Sequence, residues 1–205
     1  FQERLFRQIE TAKNKEDFSP LDIYQYVPEG KKRAFSEIVE DESVSKEQNL
    51  AGLFSKAEHQ VLYFAGNMSF LEMKEKKKNI LEFIEEAARR GVGFKVLARI
   101  DITSLENFKR IMQINHKIGR EAIEIRHASQ PLRGFVIDDK EIRLKEEKNP
   151  ANYKKSELKQ KTRIFYEIYD EAWVEWLQKA FWNIFRTSID AKQRVKDIEK
   201  IEALK

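Results

Sequence analysis

The chain has 205 residues and no cysteine, a length suited to one domain with extensions and a composition that excludes a disulfide frame or thiolate metal site. Its 39 Lys and Arg against 35 Asp and Glu give a net charge of +4, too balanced to argue nucleic-acid binding alone. Fourteen Phe, six Tyr and three Trp support a real core, and the 36% charged fraction reads as a thermophile's ion-pair surface or an ordinary solvated one.

Phe1 to Glu16 reads as an amphipathic helix, with Phe1, Leu5, Ile9 and Ala12 on one side. It either packs on its own domain or serves as a dimer-forming linker. Ser19-Pro20 is a break, and Asp22 to Val27 a short edge strand. Pro28-Glu29-Gly30 is a turn, from which Lys31 opens a helix through Ala34, Phe35, Ile38 and Val39. Asp41 to Glu47 is polar, and Leu50, Leu53, Phe54 and Ala57 resume a helical face. The apolar run from Gln60 to Gly66 suits a strand buried on both faces. A loop at Asn67-Met68-Ser69 leads into a helix from Glu72 to Arg90, ended by Gly91.

Phe94 to Ile100 is another buried strand, and Ser104 is placed to cap a helix running to Ile118 and Gly119. Strands at Ile123, at Phe135 to Ile137 and at Ile142 to Leu144 follow, the last two joined by an Asp138-Asp139-Lys140-Glu141 turn. Lys145 to Lys161 reads as a mobile loop and Thr162 to Ile168 as a last strand. Asp170-Glu171 opens a wide-faced core helix through Trp173, Trp176, Phe181 and Phe185. Beyond Ser188, Val195, Ile198 and Leu204 make a thin stripe, suited to an exposed helix or one paired with a partner. Strand and helix alternate as in right-handed crossovers on a mainly parallel sheet with flanking helices, an α/β fold. The boundaries read as a linker helix over 1–18, a domain over 19–188 and a charged helical extension over 189–205.

In open α/β sheets ligands bind beyond the carboxyl ends of the strands. That rule gathers Asn67, Ser69, Arg99, Asp101, Arg126, His127 and Arg133 at one end. Three arginines there suit a carboxylate, phosphate or sugar acid, or else they pair with Asp101, Asp138 and neighbouring Glu residues. His59, His116 and His127 are scattered without metal-ligand spacing. No cofactor motif is found, and the Lys74–Lys78 run reads as a solvated face. The sequence has no long apolar run and no signal-peptide pattern, so the expectation is a soluble, cytoplasmic protein without membrane contact.

The stretch IEIRHASQPLRGFVIDDKEIRL resembles the motif hairpin of the phospholipase D superfamily, where a strand carries His-x-Lys-x4-Asp. Counting back from Asp138 puts Arg133 at the lysine position and Pro131 at that of the histidine nucleophile. Proline has no nucleophile, whereas Arg133 is suited to hold an anion. Together with DIYQYVPEGKKRAFSEI, LFSKAEHQVLYFAG, AARRGVGFKVLARI and WVEWLQKAFWNIF, the order resembles the phospholipase D-like effector domain of TrmB-like archaeal transcriptional regulators. The resemblance implies a catalytically inert effector-sensing and dimerisation domain. It implies a homodimer, a small anionic or sugar-like effector, and DNA contact through an N-terminal winged helix of which this sequence shows no trace. The candidate ligand set, which the resemblance does not supply, is Asn67, Ser69, Arg99, Asp101, Arg126, His127, Arg133 and Asp138. A start at Phe1 rather than Met suggests that an upstream part has been removed, and there is no room for the further sugar-binding β domain of some members. The alternatives are a divergent phosphodiesterase or nuclease using His127, and a nucleic-acid or protein binding module.

Overall fold

The computed structural model describes residues 1–42, 45 and 47–204. Its spine is built from three strands that each follow a helix. They are β2 (Gln60–Phe64), β5 (Gly93–Ala98) and β6 (Ile123–His127). These strands run parallel, β2 beside β5 and β5 beside β6. On the far side of β2 the sheet continues antiparallel through β7 (Gly134–Ile137), β8 (Glu141–Lys148), β9 (Thr162–Ile168) and β1 (Lys32–Ile38). A short β10 (Ile189–Asp190) pairs antiparallel with β6 at the other edge. The result is an 8-stranded mixed sheet, ordered β1-β9-β8-β7-β2-β5-β6-β10.

Alternation along β2 explains the layers, because successive side chains point to opposite faces. Val61 and Tyr63 join a core with α3 (Leu50–Lys56), α4 (Ile80–Arg89), α5 (Leu105–Ile118) and α7 (Ala191–Glu202). Leu62 and Phe64 join the opposite core, with α1 (Gln2–Thr11), α2 (Leu21–Tyr24) and α6 (Glu171–Thr187). There Phe181 of α6 meets Phe64 edge-on at 5.2 Å. Leu5 and Ile9 of α1 are fully buried, so α1 packs on its own domain.

Several segments depart from the sequence reading. Residues 32–38 form an edge strand, not a helix, because Ala34, Phe35 and Ile38 fit either period and pairing with β9 decides the matter. The expected strand at Asp22–Val27 is instead the short helix α2, since Ile23 and Val27 lie one turn apart and Ser19 Oγ accepts the Leu21 N–H. The helix expected from Glu72 starts only at Ile80, where the Glu82 carboxylate accepts the Asn79 N–H at 3.0 Å, a capping box. Before it, Lys76 and Lys77 take positive φ in a hairpin between β3 (Lys74–Glu75) and β4 (Lys78–Asn79). Ser104 stands at the start of α5, but its hydroxyl bonds the Asp101 backbone and not the helix. Strand β8 runs on to Lys148 through the expected loop. Val195 and Ile198 of α7 are buried in the core, so the final helix packs on its own domain, while Leu204 at its end is exposed. Part of the polar 41–47 segment lies outside the described residues.

Candidate functional site

The Asp138-Asp139 turn explains how the motif hairpin is held. Both residues take left-handed φ, 48° and 56°, and Lys140 N–H closes the turn on the Ile137 carbonyl at 3.0 Å. The Asp138 carboxylate then accepts the N–H groups of Glu58, His59 and Gln60 at 2.7, 2.7 and 2.8 Å. Burial pushes this carboxyl up, but those N–H bonds outweigh it and hold the pKa below its ordinary value. Because β7 runs antiparallel to β2, Asp138 sits at the amino end of β2. It is therefore removed from the candidate ligand set: it lies at the opposite end of the sheet from Asn67 and its oxygens serve the backbone.

At the carboxyl end the remaining candidates divide into pairs. Arg99 Nε lies 3.3 Å from Asp101, whose carboxylate also receives the Thr103 N–H at 3.0 Å. Arg126 bonds Glu124 at 3.0 Å and lies over the Phe185 ring. Asn67 Oδ1 accepts the Ser69 N–H, so both close a local turn. The Arg99, Asp101, Arg126 and Asn67 side chains are thus engaged within the protein, and two of the three arginines have carboxylate partners.

Arg133 is different. Its guanidinium donates to the carbonyls of Gln130 and Leu132 at 3.0 and 2.6 Å and packs against Gly66. It has no ion pair with a carboxylate among the described residues. Burial lowers its pKa from the usual arginine value. Lys145, on the adjacent strand, donates its backbone N–H to the Arg133 carbonyl at 2.7 Å, and burial lowers its ammonium pKa as well. Four cations, Lys15, Lys145, Lys161 and Arg163, converge on Glu147 at 3.1, 3.8, 3.6 and 3.3 Å. Burial would raise the Glu147 carboxyl, but Lys145 and Lys15 lead the opposing charges and bring it down to about 2. The sheet end between β7 and β9 thus gathers Lys145, Lys161 and Arg163 about Glu147, with Glu37 and Glu42 also paired to Arg163. Sequence reasoning missed Lys145, Glu147 and Arg163 because it placed the first two in a loop; Lys145 to Lys148 are all charged and offer no apolar alternation to mark a strand.

His127 ends β6, half-buried, and its Nδ1 accepts the Ile100 N–H at 2.9 Å. Burial, with Arg194 nearby, lowers its pKa, so the ring is held neutral with its proton on Nε2. It lines a groove of about 290 Å³ with Ser129, Gln130, Lys13, Glu10 and Thr187. His116 and His59 are exposed and lie elsewhere.

No model of a known protein family matches the chain, and no curated protein is similar to it in sequence. Solved structures share its shape. Nuc from Salmonella typhimurium, a phospholipase D family member, superposes with a TM-score of 0.54 at 12% identity, over 78% of this chain and 97% of that one. NucT from Helicobacter pylori gives 0.51 at 14%, over 78% and 99%. TrmBL2, an archaeal chromatin protein with a novel mode of DNA binding, gives 0.53 at 18%, over 92% of this chain and 59% of that one. The chain has a phospholipase D-like fold.

Proposed function

We propose that this chain is a non-hydrolytic phospholipase D-like domain that senses a small anion, a sugar acid or sugar phosphate among the candidates, and dimerises within a TrmB-like transcriptional regulator. The observation that carries the reading is Arg133, a half-buried guanidinium without a carboxylate partner among the described residues, standing two positions after a proline where the phospholipase D motif has histidine. An arginine in that setting can grip an anion, and a proline cannot attack one. Lys145, whose backbone N–H bonds the Arg133 carbonyl, adds a second cation beside it. Contact with DNA would then belong to a winged-helix partner domain, and the ligand would act by binding one arrangement of the two subunits better than another.

The divergent phosphodiesterase reading has the fold in its favour. His127 supports it poorly, because a ring nitrogen that accepts the Ile100 N–H leaves the proton on the other nitrogen, which then has no lone pair for attack.

Thermal melts of the purified chain against sugars, sugar phosphates, nucleotides and carboxylates test the proposal. A ligand at a hundred times its dissociation constant adds about 2.7 kcal/mol of stability. The expected result is a clear shift for an anionic ligand that disappears in Arg133→Gln, with no hydrolysis of phosphodiesters by either protein. A flat screen of ligand-free protein removes the sensing reading. Metal-free hydrolysis that vanishes in His127→Ala establishes the enzyme instead.

A further inference from the structure

Strand β1 is the edge of the sheet, and its hydrogen-bonding register shows which backbone groups it leaves open. The Lys31 carbonyl accepts the Tyr169 N–H and the Val39 N–H donates to the Lys161 carbonyl. Odd-numbered residues of this strand therefore bond inward to β9. Lys32, Ala34, Ser36 and Ile38 direct their N–H and C=O groups away from the sheet. Ala34 and Ser36 are exposed, and Ile38 is 55% exposed although apolar. Such an edge is a template for another strand.

We propose that β1 pairs antiparallel with β1 of a second copy of this chain, about a two-fold axis through Phe35, joining the two sheets edge to edge. This names the surface for the dimer put forward under Proposed function, and it rests on that reading. The strand is self-complementary in charge. With Phe35 on the axis, Arg33 of each copy lies opposite Glu37 of the other, and Ala34 opposite Ser36. Moving the axis by one residue sets Arg33 against Phe35 or Val39 and loses the match. The register also agrees with the backbone, since Ala34–Ser36 and Lys32–Ile38 become hydrogen-bonded pairs while Phe35 meets Phe35 at a close, non-bonded position.

The flanks extend the same complementarity. Lys31 and Arg33 are exposed and have no ion pair among the described residues. At the other end of β1 lies a groove of about 460 Å³ lined by Glu37, Glu40, Asp41 and Glu47 together with Ser36, Ile38 and Thr162. The two-fold brings Lys31 of each copy opposite Val39 of the other, next to this acidic groove. Glu37 keeps its bonds to Ser45 and Arg163 and gains Arg33 of the second copy as a further neighbour.

The test uses the whole chain, by sedimentation and light scattering over a concentration series. Ser36→Pro removes an outward N–H, leaving the β9 ladder intact. It is expected to convert a dimer to the 24.4 kDa monomer with an unchanged circular dichroism spectrum. Phe35→Cys supplies the sole thiol in a chain without cysteine, and oxidation is expected to cross-link two chains. The Cα separation of about 4.5 Å across a non-bonded pair suits a disulfide. If the parent is dimeric but Ser36→Pro stays dimeric or Phe35→Cys does not cross-link, the β1 pairing is overturned and the dimeric reading stands. A parent that is monomeric at every concentration overturns both. Should Ser36→Pro fail to fold, the cross-link decides.

Discussion

At Gly134 the chain enters β7 with φ at +152°, in a region L side chains rarely adopt. A Cβ built there would collide with the Arg143 carbonyl and stand 2.8 Å from the Leu144 Cα, both backbone atoms of the neighbouring strand. Neither can swing aside as a side chain would. The glycine therefore allows β8 to approach β7 where Arg133 enters the site and Lys145 bonds its carbonyl. Gly134→Ala is expected to cost roughly 3 kcal/mol through backbone strain and a displaced strand pair. A urea melt reads this as a lower midpoint. The ligand shift proposed above should weaken in the same variant even where it remains folded, because Arg133 and Lys145 would separate.

At the scale of elements, β6 ends in a residue whose protonation the fold opposes. His127 accepts the Ile100 N–H through Nδ1, and its pKa is lowered by burial and by Arg194. The folded pKa lies below the unfolded one, so the unfolded chain takes up the proton first. Stability contributed by the neutral ring is present above about pH 6.5 and is lost as pH falls through the folded pKa. Asn at this position retains an acceptor but does not titrate. His127→Asn should flatten the dependence of the melting temperature between pH 7 and about pH 5, while a persisting slope in the variant would assign the effect to other groups. The sequence made β2 and β5 legible because buried parallel strands are largely continuous apolar runs bounded by glycine and polar loops, and β6 legible by its alternation of Ile123 and Ile125 with Glu124 and Arg126. It misled at β1 and at the Lys76-Lys77 hairpin, where a half-wet edge and a charged turn carry no clear period. Of the site, Arg133 was legible from its distance to Asp138 in the motif. Its lack of an ion pair among the described residues and its proximity to Lys145 depend on strand pairing, which the sequence does not spell out.

Across the whole molecule, the two faces of the sheet are sealed by segments from both ends of the chain. Leu5 and Ile9 cover one face beside α6, while Ala191, Val195 and Ile198 cover the other beside the α5 helix and β6. Asp190 caps α7 through the Lys192 and Gln193 N–H groups, and β10 shields the outer edge of β6 with its Ile189–His127 and Asp190–Arg126 pairs. A charged composition outside and a thin apolar stripe inside made this region look like an appendage, yet Val195 and Ile198 of that stripe face core residues and only Leu204 meets solvent. Full burial of a Val or Ile side chain is worth about 1.5–3 kcal/mol each, so losing the segment should remove roughly 4 kcal/mol and uncover the β6 edge. A chain ending at Ser188 is thus expected to melt well below the parent and to associate through the bared strand, as read by calorimetry and light scattering. Unchanged melting of the shortened chain would instead mean that β10 and α7 contribute nothing to the core they cover.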